Sequence, residues 1–600
     1  MFRRLTFAAV LFVAAFSALA QDNPATLAPG NWVIAARSGP TTDFRQILLE
    51  VESKDGKLAG KVLSPERGDP KVKSLTVEGG IVSLTITIDG STLSFDGTID
   101  PKQPKIILGS FGDERRLTAA TFSATDITEI NQKNSVVTNK APEEFTAMLK
   151  VSNASQILRG KARQTKDADA KKELLKQAED ATKVADAKLP DMYKEVLAKY
   201  PGTLSAYLAA NSLINRAEKI RASADAVKGW AEAMIVAAAP YGKKYEDDTA
   251  SRIAAALTSQ TGYAATALPY AERTVKVTER ASPARRVRAL TVLMEAQSGS
   301  GKTDAAKATE AIITKIDGEL DAEFLKTVPP FKPKKYQGRT DEKANRVAVM
   351  ELFTGAQCPP CVAADVAFDG LLKAYKPKDL ILLQYHLHIP GPDPLTNEDT
   401  VARYDYYSKK FADDFGGTPS TAFNGKAEAG GGGGMANSEG KFTEFRGIID
   451  EILEKSSDAS LTGTAKRDGD AIAVSVEIAG LKEPSESVKV RVLLVEENIP
   501  YVGSNGLRFH HHVVRSLFGA PNGVPVKDLT GGKHTAKLSL DALRAAHEVP
   551  RCLCERQPVP EQETADGNEA PESRRPGAKR RHGRNPDGDS VRCELTTRFA

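Results

Sequence analysis

The stretch Val347-Ala348-Val349-Met350-Glu351-Leu352-Phe353-Thr354 runs through Gly355-Ala356-Gln357 into Cys358-Pro359-Pro360-Cys361 and continues as Val362-Ala363-Ala364-Asp365. The first run is apolar and strand-like. The Ala-rich amphipathic stretch from Val362 to Tyr375 reads as a helix. Strand, C-x-x-C, helix is the layout of a thiol–disulfide redox site. Cys358 and Cys361 are the only cysteines in the first 551 residues, so the body of the chain does not depend on disulfides for stability. A structural bond here would close a loop of four residues, the kind that gains least from cross-linking. A zinc site needs more thiolates or histidines, and the body has no second C-x-x-C.

The chemistry follows from position. A cysteine at a helix start faces unpaired N–H groups and the positive end of the helix dipole, which stabilise a thiolate. Such sites hold thiols at about 3.5–7.5 rather than about 8.5. Cys358 is therefore the expected nucleophile. Cys361, one turn later, is placed to attack a mixed disulfide and release the product. Prolines fit the first turn because N–H groups there have no helical partner.

Further on, Gly416-Gly417-Thr418-Pro419-Ser420-Thr421-Ala422-Phe423-Asn424-Gly425 sets a Thr-Pro pair before a short strand and an Asn-Gly turn. With the C-x-x-C, this resembles the thioredoxin superfamily. The resemblance implies a cis-proline at Pro419 packed beside the cysteines, with Thr418 binding substrate backbone. A closer likeness is to exported thioredoxin-like proteins with an E-L-F-T-x-x-x-C-x-x-C-x-x-A-D signature, here Glu351-Leu352-Phe353-Thr354, Cys358, Cys361 and Ala364-Asp365. Tyr385-His386 matches a tyrosine–histidine pair of those proteins. The likeness covers about 100 of 600 residues. Gln357 stands where ordinary thioredoxins have tryptophan. Leu352 stands where they have a buried aspartate, with Glu351 one residue earlier and hence on the opposite face of the strand. Glu351 and His386 are the auxiliary candidates, His386 as a partner for a thiol or thiolate. His388 to Phe415 reads as a helical insertion of the kind that sets substrate choice.

Outward from this centre the composition changes. Residues 1–20 read as a signal peptide: Arg3 and Arg4, an apolar run from Leu5 to Phe16, then Ala18-Leu19-Ala20. Residues 28–127 alternate in period two around Asp55-Gly56 and Asp89-Gly90, predicting hairpins in a small antiparallel β domain. Gly30-Asn31-Trp32 resembles the opening of lipocalin-like barrels. Residues 140–327 are rich in Ala, Lys, Glu and Leu at helical spacing and resemble an irregular tetratricopeptide-type solenoid, a surface for a protein partner. Within it, Ser298-Gly299-Ser300-Gly301-Lys302-Thr303 imitates a phosphate loop, but Ala296 replaces the leading glycine and the flank is helical, so a helix–helix turn is expected. Residues 328–335 form a Pro-rich linker, 336–457 the thioredoxin-like domain and 458–547 a compact β-sandwich. Gly430 to Gly434 predicts a mobile loop, an unconstrained surface insertion in preference to a gate over the site. From 548 to 600 apolar periodicity vanishes, nine arginines face one lysine, and Cys552, Cys554 and Cys593 appear; a disordered or out-of-frame tail is expected.

The fold class expected is thus multidomain α+β: antiparallel β domain, helical solenoid, thioredoxin-like α/β domain, β-sandwich. A net charge of +4 over 600 residues gives no reason to expect nucleic acid as partner. Nothing after the leader reaches the ~18 consecutive apolar residues of a membrane span. No cofactor and no metal are expected; His510 and His512 would share a strand face but lack a neighbouring carboxylate or cysteine. The function expected is thiol–disulfide exchange on protein thiols in the periplasm or outside the cell. The alternatives are a non-catalytic thioredoxin-like scaffold and, from the N-terminal sheet alone, a small-molecule carrier.

Overall fold

The computed structural model describes residues 26–37, 44–54, 57–64, 70–88, 91–113, 116–130, 141–482, 485–518, 523–529 and 532–546. The signal segment, the Asp55-Gly56 and Asp89-Gly90 turns and the arginine-rich tail lie outside the described residues. The chain divides into two compact units, Met1–Asp317 and Gly318–Ala600. Each mixes strands and helices.

The first unit opens with eight strands: β1 Gly30–Arg37, β2 Phe44–Lys54, β3 Lys57–Ser64, β4 Lys71–Glu78, β5 Ile81–Ile88, β6 Ser91–Thr98, β7 Ile106–Gly112 and β8 Leu117–Thr125. They pair in the order β3-β2-β1-β8-β7-β6-β5-β4, all antiparallel. The two ends of that order approach one another, since a Cβ at Gly60 would touch Val72, and the sheet nearly closes into a barrel. The period-two pattern is the cause: Val82, Leu84 and Ile86 point inward and are buried while their neighbours face out. The interior is filled by side chains, with Trp32 and Phe95 both packed on Phe122 at 4.9 and 5.4 Å.

Eight helices follow: α1 Glu143–Gln164, α2 Ala168–Lys199, α3 Leu204–Ile214, α4 Ala224–Ala238, α5 Lys243–Thr258, α6 Ala264–Val277, α7 Pro283–Gly299 and α8 Thr303–Thr327, the last continuing past Asp317 into the second unit. Side-chain caps start several of them; Asp167 accepts from Ala170 N at the head of α2. Pro190 does not divide α2, which runs 32 residues as one element. Phe145, Tyr193, Tyr207, Met234 and Ile253 build a core shared with Leu117 and Ala119 of β8. The Ser298–Thr303 segment is the turn between α7 and α8, with Gly301 at φ +78°.

The second unit centres on a six-stranded sheet. Its elements are β9 Ala348–Thr354, α9 Val362–Ala374, β10 Leu380–His386, α10 Glu398–Lys410, β11 Ser420–Phe423, β12 Lys426–Ala427, α11 Ser438–Leu453, β13 Ser460–Asp468, β14 Ala471–Ala479, β15 Lys489–Val490, β16 Val492–Pro500, β17 Phe509–Phe518, β18 Val524–Pro525, β19 Lys533–Ser539 and α12 Leu540–Ala546. The sheet order is β12-β11-β9-β10-β17-β16. Parallel β9 and β10 are joined through α9. Helices α9 and α11 pack on one face, and Tyr407 of α10 joins the core on the other. β9 is buried almost throughout, which explains its near-continuous apolar run.

Two expectations need correction here. The C-terminal strands do not form a sandwich of their own. β16 and β17 extend the sheet that carries the cysteines, while β13-β14-β19 form a separate three-stranded sheet. The sequence carried a sign of this: consecutive Val513 and Val514 are both fully buried, as in a strand covered on both faces. The Pro-rich segment is not a free spacer either. Phe331 packs against Phe442, the tilted rings 5.2 Å apart, and joins the α9–α11 core. Among the described residues, no helix is long and apolar enough to cross a membrane.

Candidate functional site

β9 ends at Thr354, and Gly355 to Cys358 turn back, Cys358 N donating to Gly355 O at 3.0 Å. Pro359–Cys361 make one 3₁₀ turn that leads into α9. Cys358 and Cys361 are joined in a disulfide. Just before β11, the strand paired with β9, the Thr418-Pro419 peptide is cis and Thr418 Oγ1 donates to Cys358 Sγ at 3.4 Å. Four residues singled out in the sequence, Cys358, Cys361, Thr418 and Pro419, therefore meet in one place.

The donors at the helix start are not free, contrary to the simple dipole argument. Pro359 and Pro360 have no N–H. Cys361 N donates to Cys358 O, and Val362 N to Pro359 O. Ala363 N is taken by Gly433 O at 2.9 Å. The Thr418 hydroxyl is thus a donor aimed directly at the Cys358 sulfur.

Gly433 belongs to the glycine run, and the run is anything but loose. Gly433 N donates to Pro360 O at 2.7 Å, and Gly431 N to Pro419 O at 3.2 Å. Gly432 lies against Pro360 and Pro419 so closely that any side chain would overlap them. The expected mobile insertion is a backbone strap fastened to Pro360 and Pro419. Five glycines in a row signal close approach as well as flexibility, and the sequence alone does not separate the two.

Glu351 does not serve the cysteines. Its carboxylate is buried in an ion pair with Arg403, at 2.8 and 2.9 Å, and accepts from the hydroxyls of Tyr385 and Tyr407. Burial pushes its pKa up, but Arg403 and these hydrogen bonds outweigh that and hold it below the usual carboxylate range. Removing Arg403 alone would strand a buried charge, a change that typically costs about 3–5 kcal/mol. His386 lies in a buried pair with Asp393, Nδ1 to Oδ2 2.9 Å, and its ring stands edge-on to His510 at 4.8 Å. It touches the cysteine segment only through Asp393, which accepts from Ala356 N.

The buried acid nearest in sequence to Cys361 is Asp365, one helical turn on. It accepts from Thr354 Oγ1 at 2.8 Å and from Gln384 Nε2 at 3.1 Å. Burial, with Asp369 and Asp393 nearby, holds its pKa well above the ordinary value despite the Thr354 bond. This buried carboxyl is carried on the helix rather than on the strand that holds Glu351.

Hairpin β16–β17 supplies the far wall. Gln357 Nε2 donates to Tyr501 Oη at 3.3 Å, and Asn505 N to Ala356 O at 3.2 Å. The three histidines of β17 part company. His510 Nε2 meets Tyr501 O, His511 Nδ1 meets Asp369, and His512 Nδ1 meets Leu382 O. His512 takes a left-handed φ of +50°, which breaks the alternation that would have put it beside His510. Among the described residues, no cluster of His, Cys, Asp or Glu is arranged to hold a metal ion.

No family model matches this chain. No curated protein matches it either. Two solved structures are similar over part of it. One is a protein of Agrobacterium tumefaciens, 19% identical, covering 33% of this chain and 80% of that one, at a TM-score of 0.23. The other is HBP35 of Porphyromonas gingivalis, 13% identical, covering 33% of this chain and 65% of that one, also at 0.23. Scores this low carry no weight for fold or function.

Proposed function

We propose that the chain is an exported thiol–disulfide oxidoreductase whose second unit holds a thioredoxin-like site acting on protein thiols. The observation that carries this reading is the Cys358–Cys361 disulfide at the head of α9 with the Thr418 hydroxyl on the Cys358 sulfur. In the dithiol form, the Cys358 thiolate attacks one sulfur of a substrate disulfide. A new S–S bond forms, the substrate bond breaks, and the other substrate sulfur leaves as a thiolate that takes a proton. Cys361 then loses its proton and attacks Cys358, releasing the second substrate thiolate. Two electrons pass to the substrate, and the Cys358–Cys361 bond re-forms; the reverse sequence oxidises a substrate dithiol. Asp365, one helical turn after Cys361, is the candidate proton carrier: its carboxyl would give a proton to the departing Cys361 sulfur in the oxidising direction, and only its ionised form would take the Cys361 proton in the reducing one. Thr418 and Pro419 dock the substrate chain, and the helical region of the first unit offers a surface to a partner.

A second reading is a scaffold whose site does not turn over. It is favoured by the burial of the sulfurs: Cys358 is 2% exposed and Cys361 0%. The full chain decides between them. Cys358→Ser is expected to abolish insulin reduction, and Cys361→Ser to accumulate mixed disulfides with protein substrates. An unchanged insulin-reduction rate in both variants overturns the proposal. A midpoint potential below about −300 mV for the pair supports the scaffold.

A further inference from the structure

Asp393 takes part in no step above, yet it is 1% exposed and richly bonded. Its Oδ2 accepts from Ala356 N at 2.7 Å and faces His386 Nδ1 at 2.9 Å; its Oδ1 accepts from Leu395 N at 2.8 Å. Its own N–H donates to His388 Nδ1 at 3.0 Å. A carboxylate out of water is tolerated only when its lone pairs are met in this way. Burial pushes its pKa up, and His386 and these N–H groups bring it below the ordinary value, so the group is ionised.

Two of these donors lie on the insertion or on the neighbouring strand end. The third, Ala356 N–H, sits two residues before Cys358, inside the turn that Cys358 N closes on Gly355 O. That turn is held from every side. A Cβ at Gly355 would stand 2.9 Å from Ile389 O and 3.1 Å from Leu387 O, so the segment leading to Asp393 backs directly onto it. From the opposite side, Asn505 N donates to Ala356 O at 3.2 Å and Asn505 Nδ2 to Gly355 O at 3.3 Å. Gly503 is packed against Ala356 O as well.

We propose that Asp393 is a positioning residue for the cysteine pair: through Ala356 N–H its carboxylate fixes the Gly355–Cys358 turn and so sets where the Cys358 sulfur stands against Thr418. The proposal rests on the redox reading of that pair. It has a direction. Removing the carboxylate loosens the turn that holds the oxidised loop. It also removes an anion from the neighbourhood of the Cys358 thiolate. Both changes favour the dithiol form, making the pair more oxidising.

The test measures the equilibrium of the full-length protein with glutathione, together with deuterium uptake of the peptide spanning Thr354 to Cys358. Asp393→Ala is expected to shift the equilibrium constant about tenfold toward the dithiol, equivalent to about 30 mV for a two-electron couple, and to speed exchange in that peptide. Asp393→Asn keeps one oxygen for Ala356 N–H and should shift the constant only about threefold, with the peptide still protected. A constant within twofold of wild type in a folded Ala variant overturns the proposal, as does an Asn variant shifted as far as the Ala variant. Should Asp393→Ala not fold, an unchanged constant in the Asn variant overturns it. Absence of turnover on any protein substrate would instead sink the oxidoreductase reading, and would leave the glutathione equilibrium readable.

Discussion

Gly432 is seated against Pro360 so that a Cβ at position 432 would overlap the Pro360 carbonyl oxygen and approach Pro419 Cγ to 2.7 Å. Both neighbours are rigid, one a backbone oxygen and the other a proline ring, so neither yields as a long side chain would. Gly432→Ala must therefore lift the strap from the site. Forced overpacking of this kind typically costs about 1–3 kcal/mol. The Gly433 bonds to Pro360 O and Ala363 N would weaken with it. The expected outcome is a lower melting temperature of the oxidised protein and faster iodoacetamide labelling of the reduced protein at Cys358. Gly434 is the control in the same run: a Cβ there meets nothing within 4 Å, so Gly434→Ala should change stability by less than about 1 kcal/mol. Equal behaviour of the two variants would show that the strap is not seated as described.

The Thr418 hydroxyl is aimed at the Cys358 sulfur, while the N–H groups at the head of α9 are spent on Cys358 O, Pro359 O and Gly433 O. Once the disulfide is reduced, that hydroxyl becomes a charge-assisted donor to the thiolate. Hydrogen bonds to charged groups contribute about 1.5–3 kcal/mol, and about 1.4 kcal/mol is a factor of ten in an equilibrium. Thr418→Val keeps the branched shape and removes the donor. It should slow labelling of reduced Cys358 at pH 7 about tenfold, while labelling at pH 10, where the thiolate forms regardless, stays near wild type. Labelling that falls equally at both pH values would point to lost access instead.

How much of this was legible beforehand depends on whether the signal was local. Strand, C-x-x-C, helix and Thr-Pro are short patterns, and the structure brings Cys358, Cys361, Thr418 and Pro419 together. The eight N-terminal strands were readable because buried Val82, Leu84 and Ile86 alternate with the less buried Ser83, Thr85 and Thr87. What failed was long-range. Alternation says that β16 and β17 are strands, but not that β17 pairs onto β10 and carries β16 with it into the central sheet. The register of Glu351 already turned it away from the cysteines, but its partner Arg403, 52 residues on, is not marked by any local pattern. Asp393 and Asn505 approach Ala356 across separations of 37 and 149 residues, which no periodicity records. The glycine run was visible, but composition alone gave it the opposite role.

Asp365 makes the acid of this site testable by pH alone. Burial, helped by Asp369 and Asp393, holds its folded-state pKa well above the ordinary value, while an unfolded aspartate ionises near about 3.9. The sign follows from linkage. Below about pH 3.9 both states hold the proton, and the group's favourable contribution to stability is fully present. As pH rises beyond that, the unfolded chain sheds the proton and the folded one keeps it, so this contribution is lost progressively up to the folded pKa. Asp365→Asn stays neutral at every pH and escapes that loss. The variant's unfolding midpoint in urea, relative to wild type, should therefore be higher at pH 7 than at pH 4, and the gap should exceed about 1 kcal/mol if the shift is more than one unit. A gap that narrows or reverses between pH 4 and pH 7 would mean that the folded protein carries Asp365 as a carboxylate, against the upward shift that its burial implies.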